Sequence, residues 1–110
     1  MTALPFLSLD RPSMSALRCP PHLTTESRVA FRTQALDALD VALAARATTV
    51  TLDLAAVVDI DASGLGVLIL LQKRAREHRV RVSLINVPGP VERLLDETRM
   101  APLFEIVRPG

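Results

Sequence analysis

The sequence predicts an α/β fold built on parallel strands, and three observations carry that reading. Residues 48–54 and 80–87 are β-branched and apolar runs of strand length. Residues 27–45, 63–78 and 90–98 place apolar side chains at helical spacing. The resulting order, strand–helix–strand–helix–strand–helix with short connections, implies parallel strands joined by right-handed crossovers.

The elements follow in chain order. Residues 1–25 are irregular, because Pro5, Pro12, Pro20 and Pro21 each remove a backbone donor and fix a dihedral. Short strands are expected at 4–9 and 15–19, paired as a hairpin at a sheet edge, where proline is tolerated. Thr24 or Thr25 is the expected cap of the first helix, with Glu26 in its first turn. Along that helix Val29, Leu36, Leu39 and Leu43 form the expected core stripe, opposite Arg32, Asp37 and Asp40. Val50, Leu52 and Leu54 share one side of the first long strand, which reads as central together with 80–85. Residues 55–60 read as a turn. In the second helix Leu65, Leu68, Ile69 and Leu71 fill the first half, and Lys73, Arg74 and Arg76 make the second half polar. Pro88-Gly89-Pro90 is a turn, with Pro90 opening a third helix. Val91, Leu94 and Leu95 are expected to face inward from it. A last strand is expected at 103–107.

Size and charge narrow the function. The chain of 110 residues fits a single domain spanning residues 1–110. Thirteen basic residues against twelve acidic ones leave a net charge of +1, which argues against general nucleic-acid binding. Cys19 is the only cysteine, so no intramolecular disulfide or thiolate-rich metal site can form. No basic residue precedes Arg11, and Pro5 and Asp10 interrupt the early apolar residues, unlike a secretory leader. The apolar run 64–71 is far shorter than the roughly 20 residues that cross a bilayer. A cytoplasmic location without membrane insertion is the expectation.

The most distinctive residues lie at the start of the second helix, in Asp61-Ala62-Ser63-Gly64-Leu65-Gly66. Two of the four glycines in the chain stand here, in the first turn of an apolar helix. Glycine costs about 0.5–1 kcal/mol there relative to alanine, which suggests a close approach to the backbone. Asp61 or Ser63 suits the N-cap. A dinucleotide site is disfavoured, because Ile69 stands where the third glycine of that fingerprint belongs, and no Gly-Lys-Ser/Thr sequence occurs.

Residues 57–68, with the turn at their centre, resemble the signature of STAS domains, in which an Asp–small–Ser–Gly–Leu–Gly turn follows a strand. The resemblance continues through Lys73-Arg74-Ala75-Arg76, Asn86-Val87, Val91-Glu92-Arg93-Leu94-Leu95 and Leu103-Phe104-Glu105-Ile106-Val107, and so covers about residues 48–108. The N-terminal half departs from it: Pro21-His22-Leu23-Thr24 stands where the family usually carries Gly-Glu-Leu/Ile-Asp. The resemblance implies a STAS fold, a mixed and largely parallel sheet with helices mainly on one face.

It also implies a function: a non-enzymatic anti-sigma-factor antagonist that binds no cofactor. The implied partners are an anti-sigma factor with a histidine-kinase-like ATPase domain, acting as serine kinase, and a serine phosphatase. Ser63 takes the place of the family's phosphorylated serine. Asp61, Ala62, Gly64, Leu65 and Gly66 take that of the switch turn and partner-binding surface. A phosphate on Ser63 is expected to meet free N–H groups and the positive helix end. The alternatives are a STAS subunit of a lipid-transport ABC system and a scaffold subunit of a stress-signalling complex.

Other residues read as structural. His22 and His78 lie apart from each other and from any ligand at metal-binding spacing. Cys19 reads as a small buried or edge residue. Lys73, Arg74, Arg76, Arg79 and Arg81 read as a solvated helix end. Asp59 and Asp61 would share a side of an extended chain, as a carboxylate pair or a weak magnesium site.

Overall fold

The computed structural model describes residues 16–108. Among these residues six strands and three helices follow one another: β1 (Leu17–Arg18), β2 (His22–Leu23), α1 (Arg28–Ala44), β3 (Thr49–Asp53), β4 (Asp59–Ile60), α2 (Ala62–Glu77), β5 (Arg81–Ile85), α3 (Gly89–Glu97) and β6 (Glu105–Val107). Short 3-10 turns at Thr25–Ser27 and Ala101–Leu103 precede α1 and β6.

The main sheet has the order β1-β3-β5-β6, and all its pairs are parallel. β3 and β5 are central, as their apolar composition predicts. Each crossover moves one way across the sheet, so right-handed connections place α1, α2 and α3 on the same face. The side-chain period of two agrees with this one-sided cover. Leu17, Leu52, Leu84 and Ile106 stand in one rung across the whole sheet, flanked by the Val50–Val82 pair. The next rung, Thr51–Ser83–Glu105, faces the other way and is polar, with Ser83 at its centre buried.

The N-terminal region differs from expectation. Residues 4–9 lie outside the described residues. Of 15–19, Leu17–Arg18 forms a strand that pairs in parallel with β3, and its expected hairpin partner is among the residues not described. The segment 55–60 is more than a turn, because Asp59–Ile60 pairs in parallel with His22–Leu23 as a second, two-stranded sheet. Two-residue strands carry no periodicity, which is why neither was legible.

The first helix is rotated from its predicted orientation. Phe31, Ala35 and Leu39 are buried, with Ala38, Ala42 and Leu43 packed beside them. Val29 is 70% exposed and Leu36 only half-buried. Leu39 and Leu43 meet the core as expected, but the buried stripe is completed by Phe31 and the alanines at 35, 38 and 42 in place of Val29 and Leu36. Small side chains at 35, 38 and 42 let α1 lie close against its neighbours, and Phe31 fills the space at the end. In α2 the buried positions Gly64, Leu65, Val67, Leu68, Leu71 and Ala75 follow the helical period as expected. Val91 and Leu95 anchor α3, with Leu94 half-buried.

Three helices end alike. At each C-terminus an arginine adopts a left-handed conformation: Arg46 (φ 58°), Arg79 (φ 60°) and Arg99 (φ 61°). Their N–H groups bond the carbonyls of Leu43, Arg76 and Asp96, and the following N–H groups of Ala47, Val80 and Met100 reach back to Ala42, Ala75 and Leu95. This is the paired bonding of a Schellman motif, built without the usual glycine.

Cys19 is buried beside β1, and burial foremost, with the nearby Asp53 charge, pushes its thiol up to about 12. It is a core side chain, as expected, and not a reactive group.

The sheet rung and the misread stripe give opposite expectations. Leu84→Ala removes a fully buried side chain and should cost about 2–5 kcal/mol in urea melts. Leu36→Ala, at a half-buried position, should cost clearly less. Equal losses would contradict the rotated packing of α1.

Candidate switch site at the head of the second helix

Every feature of the site begins with Asp61. It precedes α2 in an extended conformation (φ −124°, ψ −172°), which frees its side chain to fold back over the helix start. Its Oδ1 accepts the N–H groups of Ser63 (2.9 Å) and Gly64 (3.1 Å). Its Oδ2 accepts the Thr25 N–H (3.1 Å) and faces the Thr25 hydroxyl (3.4 Å). Asp61 is therefore the N-cap, Ser63 is not, and the helix begins one residue earlier than predicted, at Ala62. The Gly64 N–H bond foremost, with those from Thr25 and Ser63, holds the Asp61 carboxyl below its ordinary range against a smaller effect of burial.

Ser63 stands in the first turn of α2, partly exposed, with its Oγ 3.0 Å from the Thr25 hydroxyl. Thr25 belongs to the 3-10 turn Thr25–Ser27, which Thr24 caps. Ser27 closes this turn by accepting the Thr24 N–H (3.1 Å) and donating its hydroxyl to the His22 carbonyl. Ser63 thus sits between two short segments fixed by separate hydrogen bonds.

The two glycines have different reasons. A Cβ on Gly64 would lie 1.9 Å from the Leu23 carbonyl oxygen, a backbone atom that cannot give way. The same oxygen accepts the Asp61 N–H (3.1 Å), so it is pinned against the helix start. The close approach that the sequence suggested is real here, and it is internal. Gly66 is exposed, and a Cβ there would meet nothing within 4 Å. Gly64 and Leu65 are both buried, so within the predicted surface only Ala62, Gly66 and, in part, Asp61 and Ser63 reach solvent. Leu65 supports the turn from the core.

Beyond Ser63 an open groove of about 440 Å³ runs between α1 and α2. Arg28, Val29 and Arg32 form one wall, and Ser63, Gly66 and Leu70 the other. Neither arginine is in an ion pair among the described residues. Sequence reasoning missed this wall. Hydropathy places Val29 in the core and Arg32 on the far side of the helix, and only the rotated packing of α1 brings them to the groove beside Ser63.

The remaining candidates separate. His22 Nδ1 lies 2.6 Å from Asp59 Oδ1, a contact between β2 and β4 that their separation in sequence concealed. Asp59 is thereby engaged away from Asp61, and the suggested carboxylate pair does not form. Among the described residues no group of His, Cys, Asp or Glu could hold a metal ion. No helix among them is long and apolar enough to cross a membrane.

A capped serine at a helix head, on a one-sided parallel α/β sheet, defines the class: a STAS-type module. The family model described as "Mlab, STAS domain" matches residues 14–107, and the chain belongs to that family. No curated protein matches the sequence. Among solved structures, the chain is similar to a candidate anti-sigma factor antagonist from Thermotoga maritima, at 24% identity and TM-score 0.70, over 83% of this chain and 76% of that one. It is also similar to the anti-sigma factor antagonist SpoIIAA in its unphosphorylated form, at 17% identity and TM-score 0.60, over 84% and 77% of the chains. SpoIIAA of Bacillus in its phosphorylated form gives 15% and 0.60, over 83% and 79%. These likenesses establish the shared fold.

Two predictions follow from the turn. Gly64→Ala should destabilise by about 1–3 kcal/mol, as overpacking against fixed backbone does, while Gly66→Ala should stabilise by about 0.5–1 kcal/mol; denaturant melts of both read the difference directly. Asp61→Ala should lower the thermal midpoint at neutral pH. Because the Asp61 carboxyl is held low, its contribution is present above the ordinary carboxylate range and fades as pH falls through the lowered value. The gap between wild type and variant should therefore close in acid. A gap unchanged down to the lowest pH at which both fold would refute the capping role.

Proposed function

We propose that the protein is an anti-sigma-factor antagonist in a partner-switching circuit. Unphosphorylated, it docks on an anti-sigma factor that carries a histidine-kinase-like ATPase domain, and the sigma factor is released. That partner, acting as a serine kinase, then modifies Ser63. An Oγ–P bond forms, the bond between the γ-phosphorus and the bridging oxygen of ADP breaks, and the hydroxyl proton passes to the kinase. A serine phosphatase reverses the step. The chain itself performs no catalysis and binds no cofactor.

The observation that carries this reading is the position of Ser63. Its hydroxyl lies partly exposed beside a groove, held by one neutral hydrogen bond to Thr25. The glycine on the groove wall leaves open space that nothing in the fold requires. A helix that tolerates an unneeded glycine at its surface suits a partner that packs directly against the backbone. Similarity in fold to a protein solved in both unphosphorylated and phosphorylated forms supports the same reading.

A second reading, a STAS subunit of a lipid-transport ABC system, draws support from the matching family description, which names Mlab and no sigma-factor regulator. There the groove docks a transport ATPase and Ser63 stays unmodified.

Titration calorimetry with the anti-sigma factor encoded nearest this gene separates the two. Wild type and Ser63→Ala should bind alike, since only a hydroxyl is lost. Ser63→Glu should bind roughly tenfold or more weakly. Incubation with that partner and ATP should add one phosphate, located by mass spectrometry on the peptide containing Ser63. Equal affinities for all three proteins and no modification would move the assignment to the transport reading.

A further inference from the structure

The head of its own helix has few donors to spare for a phosphate on Ser63. The Ser63 and Gly64 N–H groups already bond Asp61 Oδ1, and the Leu65 N–H bonds the Asp61 carbonyl (2.9 Å). These three donors, which the sequence suggested were free, are in use. The phosphate would also bring a charge of about −1.5 to −2 close to the Asp61 carboxylate, which is kept ionised by those same bonds. Standing alone there, it would be repelled.

Relief lies across the groove. Arg28 and Arg32 are one helical turn apart on α1, so their side chains project from the same face toward the groove that Ser63 borders. Both are exposed and neither is in an ion pair among the described residues. A phosphoserine side chain is longer than serine by a group with three acceptor oxygens, and guanidinium forks match that geometry. We infer that Arg28 and Arg32 form an intramolecular receptor for the phosphorylated Ser63 side chain, and that the seated phosphate bridges α1 and α2 and closes the groove over Gly66. Phosphorylation then acts twice on a partner: it adds charge, and it fills the surface the partner needs. The Thr25 hydroxyl, now bonded to Ser63 Oγ, is released or turned to the phosphate.

This inference rests on Ser63 being the modified residue, but its test does not need the kinase. The full chain is prepared with phosphoserine encoded at position 63, alongside the same protein carrying Arg28→Gln and Arg32→Gln. The second phosphate ionisation is then followed by phosphorus NMR. With the receptor present, the titration midpoint should fall below the ordinary value of about 6, and roughly 1 pH unit or more below that of the double variant. In the variant, Asp61 is left as the nearest charge and should hold the midpoint at or above 6. Arg32→Lys, which keeps charge but loses the fork, should fall between the two. The Arg28 and Arg32 Nε–H resonances should shift on phosphorylation in the wild type. Thermal melts of the unphosphorylated proteins should coincide, which shows that the substitutions leave the fold intact. Equal midpoints for the phosphorylated wild type and double variant would overturn the receptor. The calorimetric result on Ser63 would stand apart from that outcome, since it reads the partner and not the phosphate.

Discussion

The Leu23 carbonyl oxygen is the point on which the site is assembled. It accepts the Asp61 N–H and lies where any side chain at residue 64 would have to be. Two constraints meet in that atom, a hydrogen bond that fixes β2 beside β4 and a contact that admits only glycine. Once they are satisfied, Asp61 is extended beside the 3-10 turn, and its two oxygens reach the helix start and Thr25 together. The position of Ser63 then follows without further adjustment. A tight junction between two very short strands and a helix thus does the work that a longer sheet would do elsewhere.

How much of this was legible in the sequence depended on periodicity. The strands 49–53 and 81–85 and the second helix were clear, because Val, Leu and Ile recur there at intervals that only one kind of element can bury. Asp61 and Gly64 were visible as unusual residues, though not their bond partners, since Leu23 and Thr25 lie more than thirty positions away in a stretch with no regular pattern. The first helix misled for a definite reason. Hydrophobicity ranks Leu36 and Val29 above Ala35, Ala38 and Ala42, yet a helix packed closely against two neighbours needs small side chains at the contact. Burial was decided by volume, and the reading by hydropathy missed it. The cost was a wrong face for Arg32, and with it the groove.

An N-terminus is commonly treated as a ready anion site, and isolated serines there invite that argument. Here a carboxylate from the chain already occupies it, fixed by three backbone N–H groups. The dipole stabilises Asp61 first, and a second anion arrives late to a filled site. The fold resolves this with cations on a neighbouring helix, so response to modification is a property of two helices together and not of the turn motif alone.

The left-handed arginines at the helix ends have a consequence in the denatured chain. Glycine at positions 46, 79 and 99 would relax the native backbone, but it would also give the unfolded ensemble more conformations to lose on folding. Arginine reverses that exchange. It accepts local strain of about 1 kcal/mol in return for a narrower unfolded ensemble and a positive charge just past each helix end. With only four glycines in 110 residues, two of them in the turn that carries Ser63, the chain spends little backbone freedom on its helix ends and keeps the random coil comparatively stiff.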